Sequence, residues 1–268
     1  MTAQTRSGIK ALLEQYQINP KTGLGQHFLA DPNVIDRIVR MAGVTADDRI
    51  LEVGPGTGTL TRALAGTGAE VVAIEIDERL RPILDVQLSG LNARIVYGDA
   101  MAVNYRELVQ PAPWKVVANL PYNVGTPLLL DWLRFVPAIT EFTVMVQEEV
   151  GDRLAARRGS SAYGLPSVVV GLHADVRVAF KVGPQVFYPA PRVDSVVVKL
   201  QRTQAASHSE RAIELAAAGF GQRRKMLRGS LSSKIDRPSA VLEEAGIDPR
   251  LRAEDLRPED FLRLAELA

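Results

Sequence analysis

Five short apolar runs in the first 150 residues alternate with amphipathic segments. The runs lie at 49–54, 70–75, 93–99, 115–120 and 142–147. A nearly continuous apolar run of this length is typical of a parallel strand that is covered on both faces. The segments between them, such as TLTRALAGTG and ERLRPILDVQLSG, have the apolar spacing of helices. This alternation predicts a doubly wound α/β sheet.

The pattern changes after residue 165. The runs LPSVVVGLHADVRVAF (165–180) and VDSVVVKLQR (193–202) are both rich in β-branched residues, with no convincing helix between them. The proline-rich turn GPQVFYPAPR joins them. We therefore expect an antiparallel pair of strands at the edge of the sheet.

Helical periodicity replaces the strand pattern beyond the polar linker TQAASHSE (203–210). Pro238 and Pro258 stand where a first-turn proline belongs, and acids follow Pro258 directly. The segment QRRKMLRGSLSSK is also interpreted as helical. These observations predict two domains, an α/β domain over 1–202 and a small all-helical domain over 203–268.

Composition narrows the function classes. The chain has no cysteine, and its three histidines show no ligand spacing, so we expect no metal site and a reducing, cytoplasmic location. No apolar run approaches the roughly 18 residues of a membrane span. The first 20 residues lack an apolar signal core and are interpreted as a short amphipathic helix, with Ile9, Leu12, Leu13 and Tyr16 on one face.

Charge is unevenly distributed, although the net charge is only +1. Residues 150–200 carry 7 Lys and Arg against 3 Asp and Glu, and residues 201–237 carry 8 against 3. The flanking parts of the chain are acidic. A basic middle section is typical of a nucleic-acid contact, but a solvated basic surface explains it equally well.

A glycine-rich loop follows the first strand of the predicted sheet. Gly54, Gly56 and Gly58 open a helix, and Glu75 ends the next strand. Glycines allow a sharp turn and close approach of a ligand, and the carboxylate can accept hydrogen bonds from both ribose hydroxyls of an adenosine. The dinucleotide fingerprint requires a third glycine at position 59, which is Thr59, and this weighs against NAD. A glycine turn without a ligand is the remaining alternative.

Two further acids end predicted strands. Glu52 precedes the glycine loop, and a buried carboxylate there needs a partner. Asp99 can accept a hydrogen bond from the exocyclic amine of adenine. Because parallel strands end at the same edge of a sheet, the three acids together predict a slot for an adenosine.

Several motifs together resemble a known enzyme family. They are LEVGPGTGTLT, AIEID, GDA and NLPYN, with GLGQHFLAD, MVQEEVGDRLAA and VFYPAPRVDSVVVKL. Taken in the order in which they occur along the chain, these motifs resemble those of the S-adenosylmethionine-dependent methyltransferases that dimethylate adenine in ribosomal RNA. The resemblance extends over nearly the whole chain. FGQRRKMLRGSL and the helical tail resemble the KsgA (RsmA) branch, which acts on the small subunit, rather than the Erm branch, which acts on the large one.

The resemblance implies a Rossmann-like class I methyltransferase fold and dimethylation of two adjacent adenosines near the 3′ end of 16S rRNA. The implied partner is the 30S subunit or its precursor, with a role in subunit biogenesis, and we expect a monomer with no membrane contact. The implied ligands of S-adenosylmethionine are His27, Leu29, Gly54, Gly56, Glu75, Asp99 and Asn119. His27 is a departure, because the family usually has Asn there.

The turn Asn119-Leu120-Pro121-Tyr122 carries the expected catalytic chemistry. A sulfonium donor is already reactive, so the enzyme must orient the amine and not deprotonate it first. The Asn119 side-chain carbonyl and a main-chain carbonyl of Leu120 or Pro121 are suitable acceptors for the amine hydrogens, and Tyr122 supplies a stacking face. Phe187 is the expected second stacking face, with a core phenylalanine as its alternative. A tight strand-end turn is the structural alternative for the whole motif.

RNA contact is expected from a basic segment of the second domain. It consists of Arg223, Arg224, Lys225 and Arg228, predicted to share a helix with Arg224 and Arg228 on one face. Arg153, Arg157 and Arg158 extend it in this interpretation. A solvated helix face is the alternative.

Other functions remain open. They are an Erm-type 23S rRNA methyltransferase, a glutamine or DNA amine methyltransferase, an NAD oxidoreductase, and a mainly non-catalytic ribosome-assembly factor. Leu120 disfavours the glutamine or DNA enzymes, whose related turn is Asn-Pro-Pro-Tyr.

Overall fold

A computed structural model describes residues 5–268. Residues 1–4 of the predicted N-terminal segment lie outside the described residues. The chain divides into two compact units. The first runs to Gly151 and resumes over Arg177–Gln201, and the second comprises Asp152–Val176 and Arg202–Ala268.

A seven-stranded sheet forms the centre of the first unit. Its strands are β2 (Arg49–Val53), β3 (Glu70–Glu75), β4 (Ala93–Tyr97), β5 (Trp114–Asn119), β6 (Ile139–Gln147), β7 (Ala174–Val182) and β9 (Ser195–Arg202). Their order is β4-β3-β2-β5-β6-β9-β7, with β4 to β6 parallel and β9 antiparallel to β6. The five predicted strands of the first 150 residues are confirmed, and so are β9 and its place near the sheet edge.

Helices connect these strands. In chain order they are α1 (Arg6–Gln15), α2 (Pro32–Ala42), α3 (Thr59–Ala65), α4 (Arg81–Gln87), α5 (Tyr105–Leu108), α6 (Gly125–Phe135) and α7 (Glu148–Ala155), within which the first unit ends. Short 3₁₀ turns lie at Thr22–Leu24, Glu78–Leu80, Ala100–Ala102 and Pro184–Val186. A second, two-stranded sheet pairs β1 (Phe28–Leu29) with β8 (Phe187–Tyr188).

Helix α1 confirms the predicted N-terminal amphipathic helix. Its Ile9 and Leu13 are buried with Phe28 and residues of α4, and Leu12 and Tyr16 pack partly buried against the same cluster. Burial of such side chains is worth roughly 1.5–3 kcal/mol each. Thr5 caps the helix by accepting a hydrogen bond from the amide of Gly8.

Helices make up the second unit. They are α8 (Leu165–His173), α9 (Ser209–Gly221), α10 (Leu227–Ser230), α11 (Pro238–Glu244) and α12 (Pro258–Leu267), with a 3₁₀ turn at Ala253–Asp255. Helices α8 and α12 both pack against α9. A side chain at Gly171 would meet Pro258 at 2.7 Å, so this glycine allows α8 to approach α12 closely.

The strand predicted over 165–180 is partly wrong, because residues 165–173 form α8. Gly164 is the N-cap of this helix and Pro166 lies in its first turn. Six of its residues are buried, including Val168, Val169 and Val170. An apolar run that is buried on most sides has no helical stripe to distinguish it from a buried strand. As a result the second compact unit takes in residues 152–176, which the predicted boundary leaves in the first domain.

The basic segment is also not the predicted helix. Residues 222–225 form a turn and a bend, and α10 begins only at Leu227. The amides of Leu227 and Arg228 donate to the carbonyls of Leu251 and Pro249 (2.7 and 3.2 Å), so tertiary contacts replace the helical hydrogen bonds there. Arg224 and Arg228 therefore do not share a face of one helix.

Candidate active site

The glycine loop leaves β2 with three glycines in left-handed backbone conformations. Gly54, Gly56 and Gly58 have φ angles of 76°, 58° and 80°. A Cβ atom on Gly56 would lie 2.6 Å from the ring of Phe28, and one on Gly54 would lie 3.1 Å from Pro121. The loop therefore needs glycine for its conformation and also for close packing against the residues on either side.

Glu75 at the end of β3 holds this loop. The carboxylate accepts hydrogen bonds from the amide of Gly56 (3.1 Å) and from the amide of Asp77 (2.8 Å). The side chain is 4% exposed, and burial raises its pKa to about 7, against the opposing effect of these two amides. Each oxygen has one amide partner, which leaves lone pairs for ligand hydroxyl groups.

Glu52 lies one residue before the end of β2 and is 1% exposed. Among residues 5–268, its Oε2 atom has no hydrogen-bond partner. Burial raises the pKa of Glu52 to about 8, an effect that the nearby Thr61 hydroxyl offsets in part and the charge of Glu75 increases. Because one oxygen of this buried carboxyl group has no partner, it can form a hydrogen bond with a polar ligand bound at the loop.

Asp77, which sequence reasoning missed, supports the same edge. Its carboxylate accepts hydrogen bonds from Arg79 (2.6 Å) and Gln26 (2.9 Å), and chiefly the Arg79 guanidinium lowers the pKa of Asp77 to about 2. Asp99, at the next strand end, is exposed and caps a short turn by accepting from the amide of Met101 (2.9 Å). Asp77 therefore stays ionised around neutral pH beside Glu75.

The turn after β5 presents two different acceptors. The Asn119 side-chain nitrogen donates to the carbonyl of His27 (3.0 Å), which leaves its side-chain oxygen as an acceptor. The carbonyl of Pro121 already accepts from the amides of Gly125 (2.8 Å) and Val124 (3.3 Å). Within residues 5–268, the carbonyl of Leu120 has no such partner. The main-chain acceptor that the sequence left open between Leu120 and Pro121 is better provided by Leu120.

The side chain of Tyr122 is held by its hydroxyl group and by a ring contact. Its hydroxyl lies 2.6 Å from Ser195 Oγ, and its ring centroid lies 5.5 Å from that of His27. His27 Nδ1 lies 2.8 Å from the carbonyl of Pro189, which can only accept, so Nδ1 carries the hydrogen. The proline-rich segment is thereby connected to the turn through two side chains.

The predicted free face of Phe187 is absent, which corrects that expectation. The ring is 0% exposed and packs in the core with Leu29, Ile35 and Val197. Its position follows from the pairing of β8 with β1, which sets Phe187 opposite Leu29. The alternative of a core phenylalanine describes this residue.

One cleft is lined by nearly all the predicted site residues. They are His27, Leu29, Gly54, Gly56, Glu75, Asp99, Asn119, Leu120, Pro121 and Tyr122. The cleft lies where β2, β3, β4 and β5 end, as expected for a ligand site of an open α/β sheet. Sequence reasoning assigned no role to Gln26 or Ser195, although both lie within the motifs GLGQHFLAD and VFYPAPRVDSVVVKL, because only the fold brings them to their partners Asp77 and Tyr122.

The basic residues of the second unit differ from one another. Arg223 donates to Glu254 (2.9 Å) and to the carbonyls of Ser161 (3.3 Å) and Tyr163 (3.4 Å), so it holds the unit together. Arg224 and Lys225 are exposed in the turn, and Arg228 is exposed on α10. Across residues 5–268 there is no cluster of potential metal ligands and no helix long and apolar enough to cross a membrane.

The comparison with known proteins agrees with this site. Residues 17–268 match the model of the family described as ribosomal RNA adenine dimethylase. The chain belongs to this family. The family match gives the enzyme class, an adenine dimethyltransferase of ribosomal RNA with S-adenosylmethionine as methyl donor, and the fold is the Rossmann-like class I methyltransferase fold.

Two curated relatives and two solved structures illustrate how similar this chain is to known proteins. Ribosomal RNA small subunit methyltransferase A of Magnetococcus marinus is 44% identical over 264 residues, covering 96% of this chain and 95% of the relative. The protein of the same name from Phenylobacterium zucineum is 43% identical, with 99% and 94% covered. A dimethyladenosine transferase from Plasmodium falciparum has a TM-score of 0.76 at 26% identity, covering 89% and 96%. The 23S rRNA methyltransferase ErmE has a TM-score of 0.67 at 30% identity, covering 89% and 98%.

Proposed function

We propose that this chain dimethylates the exocyclic amines of two adjacent adenosines near the 3′ end of 16S rRNA, in the 30S subunit or its precursor. The observation that carries the proposal is that the Asn119–Tyr122 turn and the glycine loop line one cleft. The choice of the small subunit is supported by relatives of that name at 41–44% identity over nearly the whole chain. ErmE, named for 23S rRNA, is 30% identical.

The residues at the strand ends fit the cofactor. Glu75 has free lone pairs beside the loop amide that it binds, Glu52 has an oxygen without a partner, and Gly56 leaves no side chain over the loop. We assign ribose binding to Glu75 and the adenine amine to Asp99. Bound S-adenosylmethionine supplies a methyl group on a positively charged sulfur, which becomes a neutral thioether after transfer.

The turn orients the target amine. In the first transfer the Asn119 side-chain oxygen and the Leu120 carbonyl accept its two hydrogens, so that the nitrogen lone pair is directed away from them and into the cleft. In the second transfer one of these oxygens accepts the single hydrogen that remains. The same two oxygens favour the positive charge that develops on the nitrogen, and a proton then leaves to solvent. No side-chain acid or base is required for this arrangement.

The ring of Tyr122 binds the base by stacking, a contact worth about 1–3 kcal/mol. A base within a duplex cannot reach the cleft, so the target is single-stranded or flipped. We assign backbone contacts to Arg224, Lys225 and Arg228 of the second unit, which supply charge without sequence readout. In this proposal the protein acts as a monomer in the cytoplasm, where ribosomal subunits mature.

The test incubates the purified chain and labelled S-adenosylmethionine with 30S subunits that lack the modification and, in a parallel reaction, with unmodified 50S subunits, and then maps the methylated nucleotides. Two labelled adjacent adenosines near the 3′ end support the proposal. Label in 23S rRNA, or none in either subunit, would overturn it. A chain with Asn119→Ala that restores subunit maturation without label would favour the assembly-factor alternative as the main role.

A further inference from the structure

The hydroxyl of Tyr122 is bonded to Ser195, a residue to which the sequence analysis assigns no role. Tyr122 Oη and Ser195 Oγ lie 2.6 Å apart, a short hydrogen bond between residues 73 positions apart in the chain. Ser195 is 0% exposed, whereas Tyr122 is only half-buried and lines the cleft. The bond therefore joins a buried anchor to a residue that faces the ligand site.

The anchor is part of the sheet. Ser195 is the first residue of β9 and pairs with Gln147 at the end of β6. One step earlier, the carbonyl of Asp194 accepts from the amide of Glu148 (3.0 Å). Ladder hydrogen bonds thus fix the backbone on both sides of the serine, so its hydroxyl stands at a defined place.

Tyr122, in contrast, belongs to a turn. The turn is attached to β6 through the amide of Leu120, which donates to Met145 (3.1 Å), and to α6 through the carbonyl of Pro121. Neither contact restricts rotation of the tyrosine side chain. Of the ring's neighbours, His27 at 5.5 Å limits one side, and the hydroxyl bond fixes the far end of the ring.

We propose that Ser195 is a positioning residue for methyl transfer, which holds the Tyr122 ring at the angle at which the target base stacks. The inference rests on the proposed stacking role of Tyr122. It explains why the turn carries tyrosine where a phenylalanine would offer the same flat face. In this proposal the Tyr122 hydroxyl bonds to Ser195 and does not contact the base. The base is then recognised by the face of the Tyr122 ring and by the acceptor oxygens of Asn119 and Leu120.

The experiment is a double-mutant cycle with Ser195→Ala, Tyr122→Phe and the pair combined. Each single change removes the bond, and we expect each to lower kcat/KM for the RNA about tenfold, the effect of losing one buried hydrogen bond with its partner left unsatisfied. The combined variant should lose no more than either single one. The affinity for S-adenosylmethionine, measured by calorimetry, should stay within about twofold of wild type.

A second readout does not depend on turnover. An RNA oligonucleotide with 2-aminopurine at the target position loses fluorescence when this base stacks on a ring, and we expect less quenching with Ser195→Ala than with wild type at saturating protein. Ser195→Thr keeps the hydroxyl and should recover most of the quenching. Tyr163→Phe is the matched control, because it removes another buried tyrosine hydrogen bond, to the carbonyl of Leu256 (2.9 Å), within the second unit.

The outcomes separate this inference from the proposed function. If wild type methylates the RNA and Tyr122→Ala abolishes it, while Ser195→Ala and Tyr122→Phe match wild type in both readouts, the positioning role is wrong and the function stands. Additive losses in the combined variant would equally contradict a shared role. If wild type itself fails to methylate, the proposed function fails first. Should Ser195→Ala not fold, Tyr122→Phe tests the same bond from its more exposed end.

Discussion

The side-chain nitrogen of Asn119 donates to the main-chain carbonyl of His27 across 3.0 Å. This hydrogen bond decides which atom of the amide faces the cleft, because only the side-chain oxygen is then left to accept. It also connects the end of β5 to the segment that precedes β1, so a loop far away in sequence orients the proposed acceptor for the target amine.

Replacing Asn119 by Ala removes one of the two proposed acceptors. We expect turnover to fall on the order of 100-fold, in the range found for removal of one oriented polar group from a transition-state site. Affinity for S-adenosylmethionine should change little. Single-turnover kinetics and calorimetry measure the two quantities, with Asn104→Ala as a control because Asn104 is exposed and makes no side-chain cap. Equal loss of turnover and cofactor affinity would contradict the assignment.

Glu52 should make the protein less stable as the pH rises. Its pKa is raised from 4.5 to about 8 in the folded protein, so its favourable contribution is complete below about pH 4.5 and is lost as the pH approaches 8. Denaturant unfolding of wild type and of Glu52→Gln at several pH values measures this. As the pH rises from about 4.5 to 8, wild type should lose a few kcal/mol of unfolding free energy that the variant keeps. Exposed Glu266→Gln is the control and should show no such trend. If the difference between the two proteins stayed constant between about pH 5 and 8, Glu52 would have the same pKa in the folded and the unfolded protein, and the prediction would be wrong.

Gly56→Ala should weaken both folding and cofactor binding. A left-handed conformation costs roughly 1–2 kcal/mol for alanine, and here the new Cβ also meets the Phe28 ring at 2.6 Å. Gly90→Ala is a matched control, since Gly90 has φ 76° with open space around its Cβ position. Thermal unfolding should rank Gly56→Ala below Gly90→Ala, and calorimetry should show cofactor affinity lost only in the former. If the two changes had equal effects, contact with the Phe28 ring would not be the reason that position 56 requires glycine.

Charge reversal in the basic turn separates RNA contact from structure. Arg224→Glu should weaken RNA binding and reduce the slope of log affinity against log salt by about one or more, with thermal stability unchanged. Arg223→Glu should also lower stability, because Arg223 holds Glu254 and two carbonyls. Filter binding at several salt concentrations measures the slope, and Arg250→Glu, whose native residue pairs locally with Asp248, is the control. An unchanged salt slope with Arg224→Glu would exclude the turn as a phosphate contact.

Much of the first unit could be predicted because each of its parallel strands is a short apolar run flanked by helical spacing. The same reasoning brought the acids and the Asn119 turn together at one edge of the sheet, since parallel strands end at the same edge, and these residues line one cleft. It failed for residues 165–173. Consecutive valines favour a strand locally, but these residues form α8, a helix that is buried on most sides by tertiary packing. Local spacing carries no information about such tertiary packing.

Other parts of the site depend on contacts that sequence spacing does not reveal. Ser195 meets Tyr122 only because β9 returns antiparallel beside β6, and Phe187 is buried only because β8 pairs with β1. The choice of Leu120 over Pro121 as acceptor follows from the hydrogen bonds that begin α6. Each of these is a consequence of long-range pairing.

Arg223 bonds to two other parts of the second unit, to Glu254 and to the carbonyls of Ser161 and Tyr163, while its side chain remains 48% exposed. Its guanidinium braces the turn before any RNA arrives, so Arg224 and Lys225 are presented on a preformed support. Under the proposed RNA contact, binding would therefore cost little conformational entropy at this turn, because its backbone is already held in one conformation.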